Sequence, residues 1–164
     1  MQDDRSREKS PAGAAGTAAI RLLPHRPPFV FLDDVVELDP GRRGVAVKDV
    51  SLDDDFMRGH FPGYPVMPGV LIVEACAQLG AIVMAAAGGM SKATLAAGDP
   101  SKVDMLASID RFKFVSPAFP GDRLTFTVTV GKRMGHLQQL LSEVRCGRRE
   151  IAEGSLIVAA GGPP

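Results

Sequence analysis

From residue 70 to residue 87 the chain reads VLIVEACAQLGAIVMAAA, eighteen mostly apolar residues. A helix that is apolar nearly all round has to be buried, so the rest of the chain must supply a surface that wraps it. The run is shorter than the roughly 20 residues that a bilayer core requires. It also carries Glu74 and Gln78 and is rich in alanine. It therefore reads as the central helix of a soluble domain, not as a membrane span. At 164 residues, 45% hydrophobic and 23% charged, the chain is long enough for one globular domain with a substantial core.

The segments around the helix read mainly as strands. Residues 1–18 mix charges with Ser, Gly, Ala and Pro without any period, which predicts a disordered tail before a single domain over residues 19–160. Residues 20–23 suit a helical turn stopped by Pro24 and by Pro27-Pro28. Residues 29–38 and 44–50 are strand-like and are joined by the turn signal Asp39-Pro40-Gly41-Arg42-Arg43, predicting a hairpin. Asp53-Asp54-Asp55 reads as a solvated turn, Gly88-Gly89 ends the helix, and residues 91–102 form a polar loop. Four further strands are expected over residues 105–115, 122–132, 136–146 and 150–159. In the second, Leu124, Phe126, Val128 and Val130 alternate with threonines, a half-buried strand of period 2. In the third, Leu137, Leu140, Leu141 and Val144 fit a helical template at least as well as a strand, and periodicity alone makes it a short helix. The expected class is α+β, a curved antiparallel sheet around one long helix.

The chemistry-bearing stretch is GHFPGYPVMPGVLIVEACAQ, residues 59–78. It places His60 in a Gly/Pro-rich loop and Glu74 in the apolar helix. The turns Phe61-Pro62-Gly63 and Met67-Pro68-Gly69 hold the loop in few conformations. A base on a rigid loop facing a buried acid can perform both halves of a proton transfer. A histidine in such a loop is more often structural, whereas an unpartnered carboxyl in an apolar helix is costly and needs a reason. Gln78, one turn after Glu74, either orients that carboxyl or satisfies a buried backbone group. His25, before a proline-rich turn, reads as structural, Tyr64 as packing and His136 as a solvated turn residue.

Other function classes are excluded by composition. Formal net charge is zero, so there is no footprint of a nucleic-acid binder. Two cysteines, Cys76 and Cys146, make neither a disulfide framework nor a zinc spacing, and Cys76 reads as a small buried hydrophobe. The segment MQDDRSREKS has no apolar stretch of the signal-peptide kind, and a reducing cytoplasm is the expected compartment.

Taken together, Leu23-Pro24-His25-Arg26 with Pro28-Phe29 and Asp33, the whole of residues 59–78, and Ile109-Asp110 with Pro117 and Pro120-Gly121-Asp122 resemble the 3-hydroxyacyl-acyl-carrier-protein dehydratases of bacterial fatty-acid synthesis. The resemblance covers most of residues 20–160. It implies the hot-dog fold, a strand over residues 137–144, and His60 and Glu74 as the catalytic pair. A sister group that also isomerises the double bond carries Asp where this chain has Glu74, which favours simple dehydration. The resemblance further implies an acidic acyl carrier protein as partner; Arg111 and Lys113, which alternation sets opposite Phe112 and Phe114, are candidates to dock it or else an ordinary charged outer face. It implies a homodimer with sheets joined edge to edge, dimers that associate into hexamers (trimers of dimers), and a site taking His60 from one subunit and Glu74 from the other. The tail, the 88–103 loop and Met105, where many members have an aromatic, depart from the family pattern.

Dehydration removes a weakly acidic proton at C2 and expels hydroxide from C3. Neutral imidazole, with an ordinary pKa of about 6.5, suits His60 to the first task. Burial, which raises a carboxyl pKa, suits Glu74 to donate the proton for the second. Amides at the helix start, Gly69 first and Val70 beside it, are candidates to bind the thioester oxygen. Val66, Met67, Val70, Leu71, Phe112 and Phe114 are candidates for an acyl tunnel, with Phe61 and Gln78 at the site. No metal or organic cofactor is expected. Alternative readings are a hot-dog acyl thioesterase using a carboxylate to activate water, a non-catalytic acyl-binding subunit, and a dehydratase of a polyketide or specialised lipid pathway.

Overall fold

The structure, a computed structural model, describes residues 18–88 and 104–159. The expected tail, apart from residue 18, and the expected 91–102 loop lie outside the described residues. Strands β1 (Asp34–Asp39) and β2 (Arg43–Asp49) form the hairpin, followed by a short 3-10 turn (Asp55–Arg58) and helix α1 (Gly69–Ala86). Strands β3 (Met105–Phe114), β4 (Arg123–Met134), β5 (Leu137–Cys146) and β6 (Arg149–Ala159) complete the chain. All six join one antiparallel sheet in the order β1-β2-β4-β5-β6-β3. This is the α+β hot-dog architecture, with α1 against the concave face.

The helix is apolar all round because the sheet curls about it. Ile72, Val73, Ala75, Cys76, Leu79, Ile82 and Val83 are buried in one cluster with Phe126, Leu140, Val144, Ile151 and Leu156. Each Val, Leu, Ile or Phe side chain so withdrawn from water contributes about 1.5–3 kcal/mol. Helix and sheet pack tightly at Gly80, where a Cβ would lie 2.2 Å from Leu140 Cδ1. By length and a mean hydropathy of 1.9, α1 would qualify to cross a membrane, but 56% of it is buried inside the domain. Burial pushes the Cys76 thiol up to about 12 against a weaker opposing contact from Ser142, so it stays protonated as a small core residue.

β4 behaves as its alternation predicts, with Leu124, Phe126 and Val128 fully buried. Three expectations from pattern need correction. Residues 137–146 are a strand, and the helical reading fails because its buried face is Gln138, Leu140, Ser142 and Val144. Two polar residues turned inward hide the period of 2. Gln138 stays satisfied there by donating Nε2 to the Gly131 and Lys132 carbonyls, at 2.9 and 3.2 Å.

The first strand begins at Asp34, not at residue 29, because Gln78 captures the backbone ahead of it. Its Oε1 accepts the Phe31 N–H at 3.0 Å and its Nε2 donates to the Phe29 carbonyl at 3.2 Å. In β3 a bulge interrupts the alternation assumed for Arg111 and Lys113. Asp110 pairs with Ser155 and Lys113 with Glu153, leaving two residues opposite Gly154, with Arg111 at φ +48°. Phe112 and Phe114 still share a side, their rings 5.5 Å apart. β3 is a sheet edge and leaves Met105, Leu106, Ile109 and Phe114 exposed.

Candidate active site

The loop ahead of α1 is held almost wholly by its backbone. Phe61 and Tyr64 exchange N–H···O bonds of 3.1 and 2.9 Å around Pro62-Gly63, and Gly63 at φ +76° supplies the conformation the turn requires. Val66 N–H donates to the His60 carbonyl at 2.9 Å, and Met67 N–H to that of Ala118 at 2.8 Å. His60 Nδ1 lies 2.8 Å from the Val66 carbonyl. A carbonyl only accepts, so Nδ1 carries the hydrogen, and in the neutral ring Nε2 is then the nitrogen with the lone pair. The Phe61 ring packs on the imidazole at 3.9 Å.

His60 opens onto a groove of about 480 Å³ lined by Val66, Met67, Gly69, Val70, Ile72, Phe114 and residues 115–118. Its walls are mainly apolar, as an acyl chain requires. The first amides of a helix have no acceptor within it, and Pro68, at the N-cap, supplies no side-chain cap. Gly69 and Val70 thus present open N–H groups at the positive end of α1, on the lining that also holds His60. The ring of Phe114 covers Gly69 so closely that a Cβ there would lie 2.9 Å from it. The remaining wall, residues 115–118, is anchored by Arg149, which donates to the Pro117 carbonyl and to Asp122 Oδ2, both at 2.6 Å. Partial burial would raise the Asp122 carboxyl, but hydrogen bonds from Phe119 N–H, Arg149 and Cys146, with the Arg149 charge, hold it below the usual range.

Glu74 has a different neighbourhood. Its Oε1 accepts Gln78 Nε2 at 3.0 Å and lies 3.3 Å from His25 Nε2. Gln78 therefore performs both roles open to it, orienting the carboxyl and satisfying the 29–31 backbone. Of the residues expected at the site, His60, Val66, Met67, Gly69, Val70 and Phe114 meet at the groove. Glu74 and Gln78 form a separate cluster. Leu71 and Phe112 pack against the core instead of lining the groove. Tyr64 packs edge-on to Phe119 at 5.6 Å and His136 is an exposed turn residue. Arg111 and Lys113 are exposed beside Asp110 and Glu153, at 3.5 and 3.7 Å. Residues 115–118 and the approach of His25 to Glu74 were missed, because no local pattern signals a contact between segments so far apart in the chain.

Fold and site together define a hot-dog domain carrying a loop histidine and a helical glutamate. The family model of the FabA-like domain matches residues 23–159, and the chain belongs to this family. It is 47% identical over 153 residues to the 3-hydroxyacyl-acyl-carrier-protein dehydratase FabZ of Anaeromyxobacter sp. (strain Fw109-5), covering 93% of this chain and 94% of that one. It is 39% identical over 143 residues to the FabZ of Herpetosiphon aurantiacus, covering 85% and 93%. Among solved structures, the dehydratase heterocomplex ApeI:P from Xenorhabdus doucetiae matches with a TM-score of 0.68 at 19% identity, covering 89% of this chain and 91% of that one. Cj0977, a sigma28-regulated virulence protein from Campylobacter jejuni, matches with a TM-score of 0.61 at 11% identity, covering 93% and 94%. Likeness at such identities is a likeness of fold.

Proposed function

We propose that this chain is a hydro-lyase that removes water from (3R)-3-hydroxyacyl chains carried on acyl carrier protein, giving trans-2-enoyl thioesters in fatty-acid synthesis. The dehydratase relatives along most of its length support the reaction class. The observation that carries the site assignment is the His60 tautomer, since Nδ1–H bound to the Val66 carbonyl leaves Nε2 as the base. Nε2 takes the proton from C2, and the electron pair forms the C2–C3 double bond as the C3–O bond breaks. The Glu74 carboxyl gives its proton to the departing hydroxyl, which leaves as water. The Gly69 N–H, with Val70 beside it, binds the thioester oxygen as it gains charge, aided by the helix dipole. No step calls for a metal or organic cofactor.

Among the described residues, none on the lining of the groove that holds His60 carries a carboxyl group. Glu74 is tied instead to His25 and Gln78. The reading therefore pairs His60 with Glu74 of a second copy of this chain, in a homodimer whose exposed β3 edges join, with trimers of such dimers as the larger assembly. Two free cysteines accord with a reducing cytoplasm. Incubating the purified protein with a 3-hydroxyacyl thioester tests the reaction. Rising enoyl absorbance is the expected result, and release of free thiol without it would make the protein a thioesterase.

A further inference from the structure

We propose that His25 is a positioning residue for the acid, fixing which oxygen of Glu74 carries the transferable proton. This rests on the reading of Glu74 as the acid.

Gln78 is oriented without ambiguity, because its Oε1 accepts the Phe31 N–H at 3.0 Å, so the amide nitrogen faces the carboxyl. The two Nε2 hydrogens are then spent on the Phe29 carbonyl at 3.2 Å and Glu74 Oε1 at 3.0 Å. His25 Nε2 approaches the same Oε1, at 3.3 Å. Gln78 Nε2 donates to this carboxyl oxygen, and the Nε2 edge of His25 lies beside it within ion-pair distance. The hydroxyl oxygen of a carboxylic acid is a poor acceptor, so Oε1 is the carbonyl oxygen and the proton resides on Oε2. That leaves the acid's donor directed away from the cluster that holds it, available to the leaving hydroxyl.

The His25 ring is itself held, stacked on Phe29 at 6.0 Å and 21°. Phe29 in turn gives its carbonyl to Gln78, which closes the ring of contacts. His25 Nδ1 is shut off from solvent and has no hydrogen-bond partner among the described residues. A proton relay from solvent through the imidazole would need that nitrogen open, so the geometry favours positioning over relay.

The test is steady-state kinetics of the full chain on a 3-hydroxyacyl thioester. His25→Phe keeps the ring on Phe29 and removes the N–H. Its kcat should fall about tenfold while KM stays within about twofold. His25→Gln restores an N–H donor and should recover at least half of the lost rate, which a purely structural role would not predict. His25→Ala serves for the loss if the phenylalanine variant does not fold. A folded variant lacking the donor with wild-type kcat, or a glutamine variant as slow as it, would overturn the inference. Glu74→Ala, run alongside, separates the two levels. If it keeps full rate, the acid assignment itself has failed. If it is inactive while His25→Phe is fully active, only the role of His25 falls.

Discussion

The two halves of the site are built in opposite ways. His60 is fixed by main chain, with Val66 O on Nδ1 and the Met67–Ala118 bond tying its loop to the groove wall. Glu74 is fixed by side chains, with Gln78 and His25 reaching it from the helix and from the segment before β1. His60 therefore faces an open apolar groove at the start of α1, while Glu74 faces a polar cluster further along the helix. Each half lacks what the other has. The proposed pairing of two copies is one way to bring these halves together.

The comparison breaks first if the halves are not equally needed. His60→Ala and Glu74→Ala should each lower kcat/KM by about 10²–10⁴-fold with unfolding temperatures close to the parent, measured on the same substrate. Activity unaffected by either change would remove that half from the site. Next, Gly69→Pro deletes the amide assigned to the oxyanion and should cost about 10²-fold in kcat. Gly69→Ala keeps that amide and only presses a Cβ against Phe114, so it should lose much less. Equal losses would assign the effect to Phe114 and not to the N–H.

How far the sequence foretold this differs between the same two regions. The His60 loop was legible because Pro62-Gly63 and Pro68-Gly69 encode their own turns over a few residues. Helix α1 was legible because a near-continuous apolar run of that length demands burial on all sides, and strand β4 because its burial repeats with period 2. The Glu74 cluster was only half legible, since the Gln78 bonds to residues 29 and 31 span nearly fifty positions and the approach of His25 has no local signature. That distant capture also hid the start of β1. β5 was misread from periodicity because Gln138 and Ser142 occupy inward positions.

Two smaller effects sharpen the contrast. Gln78→Leu leaves the buried Phe31 N–H and the Phe29 carbonyl without their partner, which should lower stability by about 1–3 kcal/mol. In urea that is a lower midpoint with an unchanged slope. On the His60 side, Asp122 and Arg149 anchor the groove wall. The Asp122 carboxyl is held below its ordinary range, so its contribution is present above the unfolded pKa, which is about 3.9. That contribution is lost as pH falls through the lower folded value. Asp122→Asn should therefore be modestly less stable than the parent near neutrality, with the gap closing below about pH 4. A gap that does not narrow at all as pH falls below about 4 would mean that the ionised form is not what matters.

The shared site itself is tested most directly by mixing two dead variants, His60→Ala and Glu74→Ala, under conditions that allow subunits to exchange. A mixed dimer then holds one pocket with both native residues and one with neither. Random exchange makes about half the dimers mixed, so about a quarter of parental activity should return. If exchange is confirmed by mass or fluorescence and activity stays absent, His60 does not work with Glu74 of a second copy.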